Sequence, residues 1–339
     1  MRAARLIVPV VLVVVVGVGL RQYQAGRIVA VDTGFRGTMG TWAQVIAVGP
    51  NAVAESCAEK GFAELVRIDE AMSDFKETSE LSKVNRDAFR EKVPVSEELF
   101  SLLQTSVEYS RLSDGGFDVT IGPLVDLWRK AGRTNTTPTE AQLAAARAKV
   151  GYEKLILDPA DRSVRFAVEG MRLDLGAIAK GYAVDRAIEI LRQGGAVGGM
   201  VNLGGNIRTF GRPVGDKRNW RIGLRDPTDP NHIQLTLRLD GWAVATSGDY
   251  ERFVFVEGQK VSHILDPATR RGATGLTSVT ILARTGLEAD ALSTTVTVMG
   301  KDKGLALIER LPDTEAILIE PDKPDEPIFS SGVKDFVIP

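Results

Sequence analysis

Apolar and polar residues alternate over residues 42–48, and Ala54, Ala58, Phe62, Leu65 and Ile68 then recur at helical spacing. This predicts a strand leading into an amphipathic helix. Residues 73–85 are polar and read as loop, residues 96–112 read as a helix, and residues 139–149 as a helix that begins on a Thr cap. The pattern then turns to short apolar runs at 154–157, 164–168 and 171–175, divided by turn residues, before a helix over 177–193. Further strands are expected at 199–203, 220–224, 234–239, 252–256 and 278–282, one ends at Thr246, helices cover 289–299 and 304–311, and a last strand lies at 316–319. Strand runs broken by helices without regular alternation predict an α+β fold, in which helices cover antiparallel sheets.

The chain has 339 residues, 44% of them hydrophobic, enough for a large core in one domain or two. Its formal net charge of -2, with Lys and Arg spread along the chain, excludes the basic stripe that nucleic-acid binding needs. The single cysteine, Cys57, rules out an internal disulfide and a cysteine-built zinc site and fits the apolar face of a helix. Arg2 and Arg5 precede the apolar run 6–20, and Arg21 closes it. This is the pattern of an export signal or a signal anchor in residues 1–24, with residues 25–339 held outside the cytoplasm.

Five stretches carry candidate chemistry. In Asp174-Leu-Gly-Ala-Ile-Ala-Lys180, a strand-like segment runs into a helix whose first turn has little bulk, with Asp174 and Lys180 beside it. Open amides and the helix dipole there suit a phosphate, and a tightly packed corner fits equally. Asn202-Leu-Gly-Gly-Asn206 lets the backbone approach a ligand or forms a simple turn. Thr246-Ser-Gly-Asp249 lines a polar pocket or caps a turn. Ser262-His263-Ile-Leu-Asp-Pro267 holds one of two histidines, a proton acceptor or a structural residue. The other, His232, reads as solvated. Asp290, Ser293 and Thr294 stand at i, i+3 and i+4 near the start of a helix, so their oxygens share a face. They suit a hard cation, with Mg²⁺ preferred because nitrogen and sulfur ligands are missing, or they cap the helix.

These residues together resemble the FAD:protein FMN transferases, the ApbE-like flavin transferases, over roughly residues 37–300. The resemblance rests on ordered motifs: Thr38-Met-Gly-Thr-Trp42, Ser79-Glu-Leu-Ser-Lys-Val-Asn85, Gly116-Phe-Asp-Val-Thr-Ile-Gly-Pro-Leu124 with Leu127-Trp128, and the segments 174–185, 201–206, 245–250, 262–267 and 289–294. It implies an ApbE-like fold with a flavin-binding cleft that, with Mg²⁺, moves the FMN half of FAD to a Thr or Ser hydroxyl of another protein and releases AMP. By position, Met39, Phe75, Gly116, Phe117, Asp118, Asp174, Lys180 and Ile264 match flavin-site residues. Asp290, Ser293, Thr294 and the carbonyl of Ala177 match the metal positions, and His263 matches the base, with Lys180 assisting at the phosphates or pairing with Asp174. The implied partners are FAD and acceptor flavoproteins of a membrane electron-transfer complex, at the periplasmic side of the inner membrane. An FAD pyrophosphatase and a flavin carrier without catalysis are the alternatives.

Two departures from the family pattern stand out. After Asp266-Pro267, Thr269-Arg-Arg-Gly-Ala273 replaces the usual Thr-Gly-x-Pro, and Ser293 stands where many members carry an acid or a small residue. The first bears on substrate choice beside His263, and the second should weaken Mg²⁺ without abolishing it.

Overall fold

The computed structural model describes residues 27–215, 219–229, 231–248 and 253–338. The expected N-terminal signal or anchor at residues 1–24 lies outside them, and no described helix is long and apolar enough to cross a membrane.

Among the described residues, nine strands form one antiparallel sheet. From edge to edge it runs Ile28–Asp32, Thr41–Pro50, Gly198–Leu203, Asn206–Gly211, Ala243–Gly248, Ser278–Ala283, Glu315–Ile319 and Ile328–Phe329, with Arg36–Thr38 paired onto Thr41–Pro50. Alternation along Thr41–Pro50 sorts its two faces. Ala43, Val45 and Ala47 are buried against the helices Asn51–Met72 and Ala179–Gln193, while Trp42 on the other face is 65% exposed. Further along, Ala243, Ala245, Val279 and Ile281 pack under the helix Gly286–Met299. On the opposite face, Val48, Ile207, Val244, Leu282 and Ile317 meet Trp220, Ile222, Leu237 and Leu239 of a three-stranded sheet made by Trp220–Arg225, Ile233–Leu239 and Val337–Ile338. Helices, large sheet and small sheet thus form three layers, the α+β architecture the pattern predicts.

A fourth apolar cluster joins the helices Gly122–Thr134 and Glu140–Arg147 to the hairpin arms at Val256 and Leu265. Cys57 is buried as expected, its Sγ 3.6 Å from the Leu191 carbonyl.

Several elements differ from the sequence expectation. Residues 80–87 form a helix, capped by Ser79 Oγ accepting from the Ser82 amide at 2.9 Å. Only Leu81 and Val84 are buried on it, and so short and polar a segment reads as loop. Gly122–Thr134 is also a helix, begun by Pro123 and buried at Leu124, Trp128 and Ala131. Residues 171–175 run extended but form no strand: Arg172 makes one isolated parallel bridge to Ile121, and the apolar side chains there fill the core between helices. The strands Ile28–Asp32 and Asn206–Gly211 were not apparent because one is a half-exposed edge and the other carries polar residues within it.

Candidate active site

Two helices set the frame. Ala179–Gln193 and Gly286–Met299 cross so closely that a Cβ on Gly181 would collide with the Gly286 carbonyl and stand 2.6 Å from Asp290 Cβ. Asp185 fastens the crossing, accepting from the amides of Gly286 at 2.7 Å and Leu287 at 3.0 Å while pairing with Arg208. Thr285 Oγ1 caps the same helix through the Glu288 amide at 3.1 Å. The helix that carries Asp290, Ser293 and Thr294 is therefore held at its N-terminus by two side chains.

At this crossing Asp290 is 4% exposed and accepts from the Gly181 amide at 2.9 Å and from Lys180 Nζ at 3.2 Å. Lys180 also donates to the Gly176 carbonyl at 3.0 Å. Two expectations change here. Lys180 pairs with Asp290, not with Asp174, and the amides of Gly176 and Gly181 are taken by the carboxylates of Asp174 and Asp290. The anion that the positive helix end stabilises is thus a side chain of the protein itself.

A cleft of about 380 Å³ opens beside the crossing, within the roughly 300–1,000 Å³ that ligand sites occupy. Of the residues singled out by sequence, Phe75, Gly116, Phe117, Asp118, Asp174, Ala177, Lys180, His263, Ile264, Asp290 and Thr294 line it. Met39 and Ser293 do not. Met39, at φ +49°, sits in the turn before Thr41, which does line the cleft, and packs on the core. Ser293 is buried behind Asp290; its Oγ donates to the Asp290 carbonyl at 2.8 Å and lies 2.8 Å from Ser247 Oγ.

The remaining segments serve both readings in turn. Thr246 and Ser247 line the cleft, whereas Asp249 lies outside the described residues. Asn202 Oδ1 accepts from the Gly205 amide at 3.1 Å, a turn contact, and Gly204 both lines the cleft and turns at φ +57°. Ser262 Oγ accepts from the Ile264 amide at 3.2 Å, which shapes the bend that presents exposed His263 to the cleft. His232 is not merely solvated: its Nδ1 lies 3.3 Å from Asp226 Oδ2.

Electrostatics distinguish the acids. Burial pushes the Asp118 carboxyl up in pKa, opposed by the Thr120 hydroxyl and amide at 2.7 and 2.8 Å and the Tyr152 amide at 3.0 Å. Burial, then the nearby Asp74 charge, raises Asp174, opposed by the Gly176 amide and by Arg129 and Arg172.

Sequence reading missed Arg129. It lines the cleft, donates to Asp74 Oδ2 at 3.1 Å and to Asp174 Oδ2 at 3.2 Å, and holds its guanidinium 4.7 Å over the ring of Phe75. The only sequence signal was Pro123 opening the helix that carries it. The same helix and the next one anchor the loop after Pro267, because Trp128 Nε1 donates to the Arg270 carbonyl at 2.8 Å and Arg270 and Arg271 pair with Glu140 of the helix Glu140–Arg147.

Among the described residues, no cluster of three or more His, Cys, Asp or Glu side chains is arranged to hold a metal. At the helix crossing the cleft is lined by Asp290, Thr294 and Ala177, which bring a carboxylate, a hydroxyl and a main-chain carbonyl. Such an oxygen-only set fits Mg²⁺, which takes few protein ligands and shares its shell with water and phosphate.

A family model described as the ApbE family matches residues 39–318. The chain is 35% identical over 267 residues to an FAD:protein FMN transferase of Klebsiella pneumoniae (78% of this chain, 82% of that protein). It is 33% identical over 288 residues to one of Treponema pallidum (81% and 80%). In structure it is similar to the ApbE protein of Thermotoga maritima, with a TM-score of 0.83 and 32% identity over 92% of this chain and 100% of that one. The flavin transferase ApbE of Vibrio cholerae gives a TM-score of 0.81 and 30% identity over 91% and 100%. With the motif order, the fold and this match over most of its length, the chain belongs to the ApbE family.

Proposed function

We propose that this protein transfers the FMN half of FAD to a threonine or serine hydroxyl of an acceptor flavoprotein, releasing AMP. The observation that carries this reading is the convergence of Asp290, Thr294, Lys180 and His263 on one cleft that also holds the aromatic Phe75. The names of the relatives support it.

The acceptor hydroxyl oxygen bonds to the FMN phosphorus, the bond from that phosphorus to the bridging oxygen breaks, and AMP leaves with the electron pair. His263, exposed on the cleft wall, takes the hydroxyl proton, a contribution typically of about 10²–10⁴-fold. Lys180 brings positive charge to the phosphate side, and Phe75 with Arg129 forms a flat wall for the isoalloxazine ring. Gly116, Phe117, Asp118, Asp174 and Ile264 complete the proposed flavin site, with Met39 behind it in the turn that sets Thr41 on the cleft wall. Asp290, Thr294 and the Ala177 carbonyl would hold Mg²⁺, with Ser293 behind them, its hydroxyl on the main-chain carbonyl of Asp290. When bound, the ion supplies Lewis-acid neutralisation of the pyrophosphate.

We place residues 25–339 as the catalytic domain, on the periplasmic side of the inner membrane, where the run 6–20 would hold it near acceptors of an electron-transfer complex. The test is intact-mass spectrometry of a threonine-bearing flavoprotein subunit after incubation with the protein, FAD and Mg²⁺, with chromatography of the nucleotides. A mass gain of one FMN with AMP release is expected. FMN and AMP without mass gain would make it a pyrophosphatase, and intact bound FAD a carrier.

A further inference from the structure

A second groove, of about 930 Å³, opens where the nine-stranded and three-stranded sheets splay apart. It shares Thr41, Gly204 and Thr246 with the cleft, so the two are continuous. Its walls are largely apolar: Ile222, Leu224 and Leu235 from the small sheet face Trp42 and Val244 from the large one. Phe35, 62% exposed, and Trp42, 65% exposed, stand at its lip. A soluble surface rarely spends two aromatic side chains in this way without a partner.

The junction between groove and cleft also carries an open sheet edge. The strand Ala243–Gly248 pairs along its whole length with Ser278–Ala283, but on its other side it meets Asn206–Gly211 only at Ala243 and Val244. From Ala245 to Gly248 that side has no strand partner among the described residues. Thr246 and Ser247 on this stretch line the cleft, and Ser247 reaches Ser293 behind Asp290.

We propose that this groove docks an extended segment of the acceptor protein, with apolar residues seated between the sheets and the segment continuing along the open edge as an added strand. This inference rests on the transferase reading. A protein hydroxyl must reach a cleft whose walls are otherwise given to FAD, and the groove is a continuous, apolar approach to it. Backbone pairing at the edge would give affinity without demanding one sequence, while alternate side chains would enter the groove. The first described strand begins at the other end: Ile28 pairs with Pro50, eight residues along the strand from Trp42, roughly 27 Å at about 3.4 Å per residue.

The test uses the full chain, FAD, Mg²⁺ and a purified threonine-bearing flavoprotein subunit, following FMN transfer against acceptor concentration. The double variant Phe35→Ala/Trp42→Ala removes only exposed side chains, and Leu224→Glu places a charge in the groove. Both should raise the KM for the acceptor about tenfold or more, while leaving the KM for FAD and the rate at saturating acceptor unchanged. Unchanged acceptor KM in the double variant, with thermal melting confirming its fold, would overturn the proposal. So would a dimer in sedimentation velocity that the double variant dissociates without moving the acceptor KM, since a second copy would then be the occupant. If the unaltered protein splits FAD but leaves the acceptor unmodified, the transferase reading itself fails and takes this inference with it.

Discussion

Lys180 Nζ lies 3.2 Å from Asp290 Oδ1, joining two helices at the one point where each has a glycine against the other, Gly181 and Gly286. The carboxylate is 5% exposed and the lysine side chain 23%, so the pair is desolvated on one side and open to the cleft on the other. Asp290 would otherwise be a buried charge answered by one backbone amide. Lys180 therefore supports the fold and the cleft's charge balance at the same time.

Replacing that lysine separates the two roles. Lys180→Met should lower stability by about 1–3 kcal/mol in the presence of a chelator, reduced from the cost of breaking a fully buried pair because Lys180 is partly solvated. Added Mg²⁺ should recover part of the loss by answering the Asp290 charge. Thermal melts with EDTA and with Mg²⁺ check this, and an equal deficit in both would show that the ion does not meet Asp290.

The helix crossing tolerates no side chain at its centre. Gly181→Ala puts a Cβ 2.6 Å from Asp290 Cβ and against the Gly286 carbonyl, and should destabilise by about 1–3 kcal/mol through overpacking. Urea unfolding measures the loss. Transfer activity should fall even where the variant remains folded, because Asp290 is the residue displaced.

Arg129→Ala removes the cation shared by Asp74, Asp174 and the Phe75 ring. FAD affinity should fall about tenfold, about 1.4 kcal/mol, as the cation–π contact that holds the Phe75 wall is lost. Arg129→Lys should recover only part of it, since an ammonium cannot reproduce the guanidinium fork. Flavin fluorescence titration distinguishes the three proteins.

His263→Ala should leave FAD binding in place and slow transfer by about 10²–10⁴-fold. Single-turnover transfer together with an FAD titration reads both numbers. A full rate would remove His263 from the proton transfer.

Asp226 gives a pH signature away from the cleft. Its Oδ1 accepts from the Thr228 hydroxyl at 2.6 Å and amide at 2.7 Å, and these bonds, with a smaller effect of His232, pull its carboxyl down to about 2. A carboxyl lowered in the folded state adds stability that is present above its ordinary value of 3.8 and lost as pH falls through about 2. Asp226→Asn should therefore be less stable than the unaltered protein at pH 7, and the gap should close on acidification. Urea midpoints of both proteins from pH 7 to pH 2.5 test it, and a gap independent of pH would show that the charge is not the source.

The sequence by itself determined the elements whose signals are local and the family whose motifs run in order. Thr41–Pro50 alternates, Asn51–Met72 repeats at helical spacing, and Asp290 and Thr294 share a helix face whatever lies opposite. Glu80–Asp87 is short and mostly polar, and Gly122–Thr134 opens on Gly122-Pro123 and carries Gly132, so their local composition reads as loop or turn before their neighbours are known. Only the tertiary structure decided which charges meet. Lys180 stands six residues from Asp174 along the chain yet pairs with Asp290, 110 residues away, because the glycine crossing brings the second helix nearer than the first helix's own approach segment. Arg129 likewise meets Asp74 and Asp174, 55 and 45 residues away along the chain. Hydrophobic periodicity fixes which face of an element is buried, but the partner of a polar side chain depends on how closely separate backbones approach, and that is set by packing across the whole chain.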